Sequence, residues 1–228
     1  MTHLSSIVIA LALFTGACST RSISDSGYGG SHYGGELIEM DLVGVTGDAA
    51  VTQADIAAAL ADTTRPVPDP AGPLLLIQSG ALAPDSAMVG AMERHFTVFP
   101  FLGLSPRGEE AYGMKLRLAA AKGGFRQILI YWGMIETERR GGAGKLVSWV
   151  PLVGDLIPDE SQHMRIGMRA ILIDVASGRW RLYKTEFMDD DSFSMKIDRE
   201  QADQDQVRAL KRRGYEALAA EIAASASP

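Results

Sequence analysis

The most continuous apolar stretch in the body of the chain is residues 128–135 (ILIYWGMI), where nearly every side chain is apolar over the length of one strand. Such a run predicts a strand covered on both faces. From Met164 the pattern becomes an alternation. Met164, Ile166, Met168, Ala170 and Leu172 fall on one face, and Arg165, Gly167, Arg169, Ile171 and Ile173 on the other, which begins wet and becomes buried. Ala176, Ser177 and Gly178 predict a turn, and residues 179–186 a return strand with Trp180 and Leu182 on one face. Residues 74–78 (LLLIQ) and 96–101 (FTVFPF) predict two more strands, the second at an edge because Pro100 cannot donate to a ladder.

Helical spacing lies between these runs. Pro84, Asp85 and Ser86 open a helix to about Arg94; Ser105 and Pro106 open another, which Gly123 and Gly124 stop. A last helix over residues 199–223 carries Val207, Leu210, Gly214, Ala217, Leu218 and Ile222 on one stripe. Near the start, Thr52 and Asp55 form a capping box, with Val51 and Ile56 at staple spacing. The order strand, helix, strand, helix, strand, then antiparallel hairpin and closing helix predicts an α/β (α+β) fold on a single mixed sheet. Residues 136–144 (ETERRGGAG) and 188–198 read as charged loops, and residues 145–150 as a short strand.

The N-terminus reads differently. Residues 4–14 (LSSIVIALALF) have the length of a signal-peptide apolar region and are short for a bilayer span. Thr15, Gly16, Ala17 and Cys18 follow, and they resemble the lipobox of bacterial lipoproteins, in which the cysteine is acylated and becomes the mature N-terminus. Thr15 stands where leucine is usual, and the first residues hold His3 but no Lys or Arg, so an ordinary secretory signal is the alternative. The resemblance implies lipid attachment, including palmitate, at Cys18; Ser19 after it implies outer-membrane sorting on the periplasmic side. The expected division is a signal peptide at 1–17, a flexible tether at 18–35, an appendage with a short helix at 36–65, a proline-rich connector, a globular domain at 74–224 and a tail at 225–228.

Composition narrows the function classes. With 228 residues, 46% hydrophobic and 22% charged, the chain can build one sizeable core. A net charge of −6 argues against a nucleic-acid partner. One cysteine excludes an internal disulfide and any multi-cysteine zinc site.

Candidate chemistry is sparse. Gly142, Ala143, Gly144 and Lys145 suggest a phosphate loop, but Arg139 and Leu146 stand where glycine and Ser/Thr are needed. His3, His32, His95 and His163 include no pair at metal-ligand spacing, so no metal or cofactor is expected. His95 closes a helix, whose negative end it suits. Ser79 with His95 or His163 and Asp155 could form a triad only by folding. Asp189, Asp190, Asp191 and Asp198 lack the alternation and glycine of a calcium loop. Trp149, Val150, Leu152, Val153, Leu156 and Ile157 are too apolar for a free loop and too broken by Pro151 and Pro158 for a regular element. They read either as a loop folded over the core or as a partner surface.

The lipobox, the Gly/Ser stretch and the element order, with an Asp174–Gly178 turn, resemble small envelope lipoproteins carrying an anticodon-binding-like α/β domain. Those include the N-terminal domain of TolB, the curli-export lipoprotein and the lipoprotein activators of peptidoglycan synthases. The resemblance implies a non-catalytic binding or assembly module with an envelope protein partner or self-association. The alternative expectation is an envelope hydrolase, for example a peptidase, with a dispersed active site.

Overall fold

The computed structural model describes residues 18–25, 35–37, 39–43, 51–101, 112–141, 160–194 and 199–226. Among the described residues seven strands form one sheet: β1 (Cys18–Ser22), β2 (Pro73–Gln78), β3 (Thr97–Pro100), β4 (Gln127–Gly141), β5 (Glu160–Asp174), β6 (Trp180–Lys184) and β7 (Met188–Ser194). The helices are α1 (Glu39–Leu42), α2 (Gln53–Ala61), α3 (Ser86–Glu93), α4 (Tyr112–Lys122) and α5 (Arg199–Ala224). Strand order is β3-β2-β4-β5-β6, with β1 on β4 and β7 on β5. β2 is parallel to β3 and β4; the other pairs are antiparallel. This is the predicted α/β fold on a mixed sheet, with Pro100 on an edge strand.

β4 and β5 organise the molecule. They pair over all of their 15 residues, from Gln127 opposite Asp174 to Gly141 opposite Glu160, a length of about 50 Å at strand rise. Each is flanked by two shorter strands in succession. β2 covers residues 127–131 of β4, and β1 covers 134–138. β6 covers residues 169–173 of β5, and β7 covers 160–166.

The two faces of the sheet bury separate cores, as alternation demands. On one, Leu74, Leu76, Leu129, Tyr131, Ile166, Met168, Ala170 and Leu172 pack under α3 and α5. Along α5, Val207, Leu210, Leu218 and Ile222 recur at helical spacing and are buried. Gly214 lets that helix approach, since a Cβ there would stand 3.0 Å from Met168 Cγ. On the other face, Leu75, Ile77, Ile128, Ile130, Ile171 and Ile173 pack with Leu116 and Ala120 of α4 and with Leu37 and Leu42 around α1. The wet-to-buried gradient predicted for β5 is present: Arg165 and Arg169 are exposed, whereas Ile171 and Ile173 are buried.

Three expectations change. Residues 136–141 are strand, not a charged loop, because β5 supplies backbone partners along all of them and β1 adds a second side for residues 136–138. Met188–Ser194 is likewise strand, since the first half of β5 would otherwise lack a partner on its outer edge. The tether at 18–35 begins as structure: Cys18–Ser22 is β1, Ile23–Asp25 is a 3-10 turn, and Ile23 is 1% exposed. Ile23 fills the space left by Gly133, whose added Cβ would lie 3.1 Å from Ile23 Cγ2 and 2.6 Å from Met168 Sδ. The signal peptide at 1–17, residues 26–34, the helix start at Ser105 and Pro106, and the strand expected at 145–150 lie outside the described residues.

Candidate functional site

Ser79, His95 and His163 are not brought together. Ser79 follows β2, donates its N–H to Tyr131 O at 2.9 Å, and accepts from Leu37 N on its hydroxyl at 2.9 Å. His163 faces Glu138 in the ladder, seven residues along β4 from Tyr131, or about 24 Å at strand rise. Its Nε2 lies 3.2 Å from Asp189 Oδ1. His95 is exposed just after α3, two residues before Thr97, which pairs with Pro73 at the far end of β2. Each candidate thus occupies a different level of the sheet.

Asp189 and Asp190 are strand residues, and Asp190 Oδ2 lies 3.4 Å from Arg213 Nη1. Among the described residues no group of three or more His, Cys, Asp or Glu converges as a metal site would require. The phosphate-like Gly142–Lys145 stretch, Asp155, Asp198 and the apolar set Trp149, Val150, Leu152, Val153, Leu156 and Ile157 lie outside the described residues.

What the fold does assemble is a polar network at the carboxyl end of β2, where side chains far apart in sequence meet. Tyr131 Oη donates to Gln78 Oε1 at 2.6 Å, and the N–H of Asp85 donates to the same Gln78 oxygen at 2.8 Å. Gln78 Nε2 donates to Ser24 Oγ at 2.9 Å, which donates in turn to Ser79 O at 2.7 Å. Asp85 makes no side-chain cap for α3; its carboxylate instead accepts from Tyr215 Oη and meets Lys211 Nζ at 2.6 Å. Lys211 Nζ also donates to Ile23 O at 2.9 Å. Burial, aided by the Asp85 charge, pushes the Tyr131 phenol well above the ordinary 10.0 of a tyrosine. Burial does the same for Tyr215, with Tyr131 and Asp85 adding to it. Both rings stay neutral donors, edge to face at 5.8 Å between centroids. The network joins β2, α3, β4 and α5 to residues 23–24.

The second feature is a surface. On the α4 side of the sheet, the side chains beyond the reach of α4 and α1 remain open. Trp180 is 44% exposed, Leu182 41%, Phe187 43% and Met134 40%. β6 ends the strand order, and Trp180 and Leu182 stand opposite Ile173 and Ile171 on this face. Phe187 lies over Gly167, which leaves room for its ring, and the Arg165 guanidinium sits 4.7 Å from the ring centroid. A groove of about 370 Å³ runs beside it, lined by Trp132, Met134, Arg169, Lys184 and Phe187 among others. Trp, Arg and apolar side chains in one place form the mixture found at the centres of protein interfaces. The alternation of β6 was the only sequence signal for this surface.

The class defined by these features is an α/β protein on one mixed sheet with an apolar, arginine-bearing open face. The family model of the YafT bacterial lipoproteins matches residues 38–225, and the chain belongs to that family. It is therefore a bacterial lipoprotein, a class held at a membrane of the cell envelope. None of the curated proteins matches the sequence. No helix among the described residues is long and apolar enough to cross a membrane.

Proposed function

We propose that this lipoprotein is a non-catalytic binding or assembly module of the cell envelope, attached by lipid at Cys18 and facing the periplasm from the outer membrane. Cys18 is the sole cysteine of the chain and follows an apolar segment of signal-peptide length. The resemblance of the element order in the sequence to the TolB N-terminal domain, the curli-export lipoprotein and the peptidoglycan-synthase activators favours the same role. The observation that carries it is the open face of the sheet, on which Trp180, Leu182, Phe187 and Met134 are each 40% exposed or more. Its occupant is an envelope protein or a second copy of this chain, and the insert bearing Trp149 and Leu152 is a further contact on sequence grounds.

The test is cross-linking in native membranes, followed by mass spectrometry, on wild type and on a Trp180→Asp, Leu182→Asp double variant. A partner recovered with wild type and lost with the folded variant supports the reading. Recovery of no partner above background, or of the same partner with both, overturns it. Radioactive palmitate labelling checks the anchor separately: Cys18→Ser abolishes the label, and labelling of that variant at wild-type level would refute attachment at Cys18.

A further inference from the structure

We propose that this protein meets the bilayer with one end of its sheet, held there directly because its fold begins at the acylated residue. The inference rests on lipid attachment at Cys18. β1 starts at Cys18 and sets it opposite Glu138 of β4. Paired Cα atoms lie about 5 Å apart across an antiparallel ladder. β4 ends three residues later at Gly141, opposite Glu160 where β5 begins, about 10 Å further along the strand. An acyl chain on Cys18 therefore brings the end formed by residues 138–141 and 160–163 to the headgroups. The opposite end, where Asp174 pairs with Gln127, stands about 37 Å away along the same strands.

The residues after Cys18 are fastened to the core rather than left as slack. β1 pairs with β4 from Cys18 opposite Glu138 to Ser22 opposite Met134. Next, Ile23 and Ser24 are each 1% exposed. Ser24 N–H donates to Ser22 Oγ at 3.0 Å, Ser24 Oγ joins Gln78 and Ser79, and Lys211 holds Ile23 O at 2.9 Å. Residues 18–25 would reach about 27 Å if extended and free, but to act as a tether they would have to give up all of these contacts. The partner is a lipid surface in general. The covalent anchor sets the contact, and no anionic headgroup is required.

The full chain in native membranes carries the test, with a photoreactive benzophenone side chain in place of Glu138 or, separately, of Ser177 near the far end. Cells are labelled with radioactive phosphorus, so that captured phospholipid is distinguished from the protein's own acyl chains, and in parallel with palmitate. Expected is palmitate on both variants and phospholipid capture at position 138 several-fold above that at 177. A flexible Gly/Ser insertion between Ser19 and Thr20 keeps the palmitate and lowers capture at 138 to the level of 177. Palmitate present with equal capture at the two positions overturns the seating while leaving the anchor intact. Absence of palmitate from the chain overturns the anchor and the seating with it.

Discussion

Gly133 shows how tightly the N-terminal segment is fitted. A methyl there would stand 2.6 Å from Met168 Sδ and 3.1 Å from Ile23 Cγ2, so Gly133→Ala should destabilise the fold by about 1–3 kcal/mol through overpacking, read from urea unfolding. Lys211 and Asp85 form a pair whose side chains are 15% and 32% exposed. Lys211→Met leaves the Asp85 carboxylate and Ile23 carbonyl without that donor, and a loss of about 1–3 kcal/mol is expected in the same measurement. The tyrosines give a pH dependence. Below pH 10 both folded and unfolded states keep the Tyr131 and Tyr215 protons, and these groups leave stability unchanged. Because the folded values are raised above 10.0, the unfolded state loses its protons first as pH rises past 10. Stability then falls with a limiting slope of about 1.4 kcal/mol per pH unit for each tyrosine, until the folded value is reached. Urea titrations at increasing alkaline pH should show this slope, and Tyr131→Phe should reduce it. None of this network was legible in the sequence, because residues 24, 78, 85, 131, 211 and 215 meet only after the sheet and α5 have packed.

At the level of elements, legibility followed the apolar pattern. β2, the buried half of β4, β5 and β6 announce themselves because each has at least one face in a core. The outer half of β4 and all of β7 do not, since Glu136, Asp189 and Asp190 are polar and their strand state comes from ladder partners. Backbone pairing across a sheet leaves no mark in the periodicity of one strand. α2 is the reverse case: its capping box was readable and is present, with Asp55 N–H donating to Thr52 Oγ1 and Asp55 Oδ2 accepting from Thr52 N. Yet α2 buries no residue. Ala58→Pro should therefore melt this helix, lowering the far-ultraviolet helical signal slightly, while the main unfolding transition followed by tryptophan fluorescence keeps its midpoint. A lowered midpoint would show that α2 contributes to the core.

For the molecule as a whole, the sequence carried the fold class and the lipoprotein character but not the surface. Whether Trp180 and Leu182 are core or contact depends on what covers β6, and the described span of α4, Tyr112–Lys122, is only about 16 Å long. Its packing leaves the outer strands open. Because Trp180 is already 44% exposed, Trp180→Asp should change folding stability by only about 0.5 kcal/mol while weakening partner capture, a separation readable by thermal melting beside the cross-linking yield. The pairing of β1 also fixes how the molecule bears mechanical load. Tension applied at Cys18 and resisted by the body runs along β1, at right angles to its hydrogen bonds with β4. The bonds of that strand must then shear together instead of unzipping one after another, and pulling at this end meets the stiffest direction the sheet has.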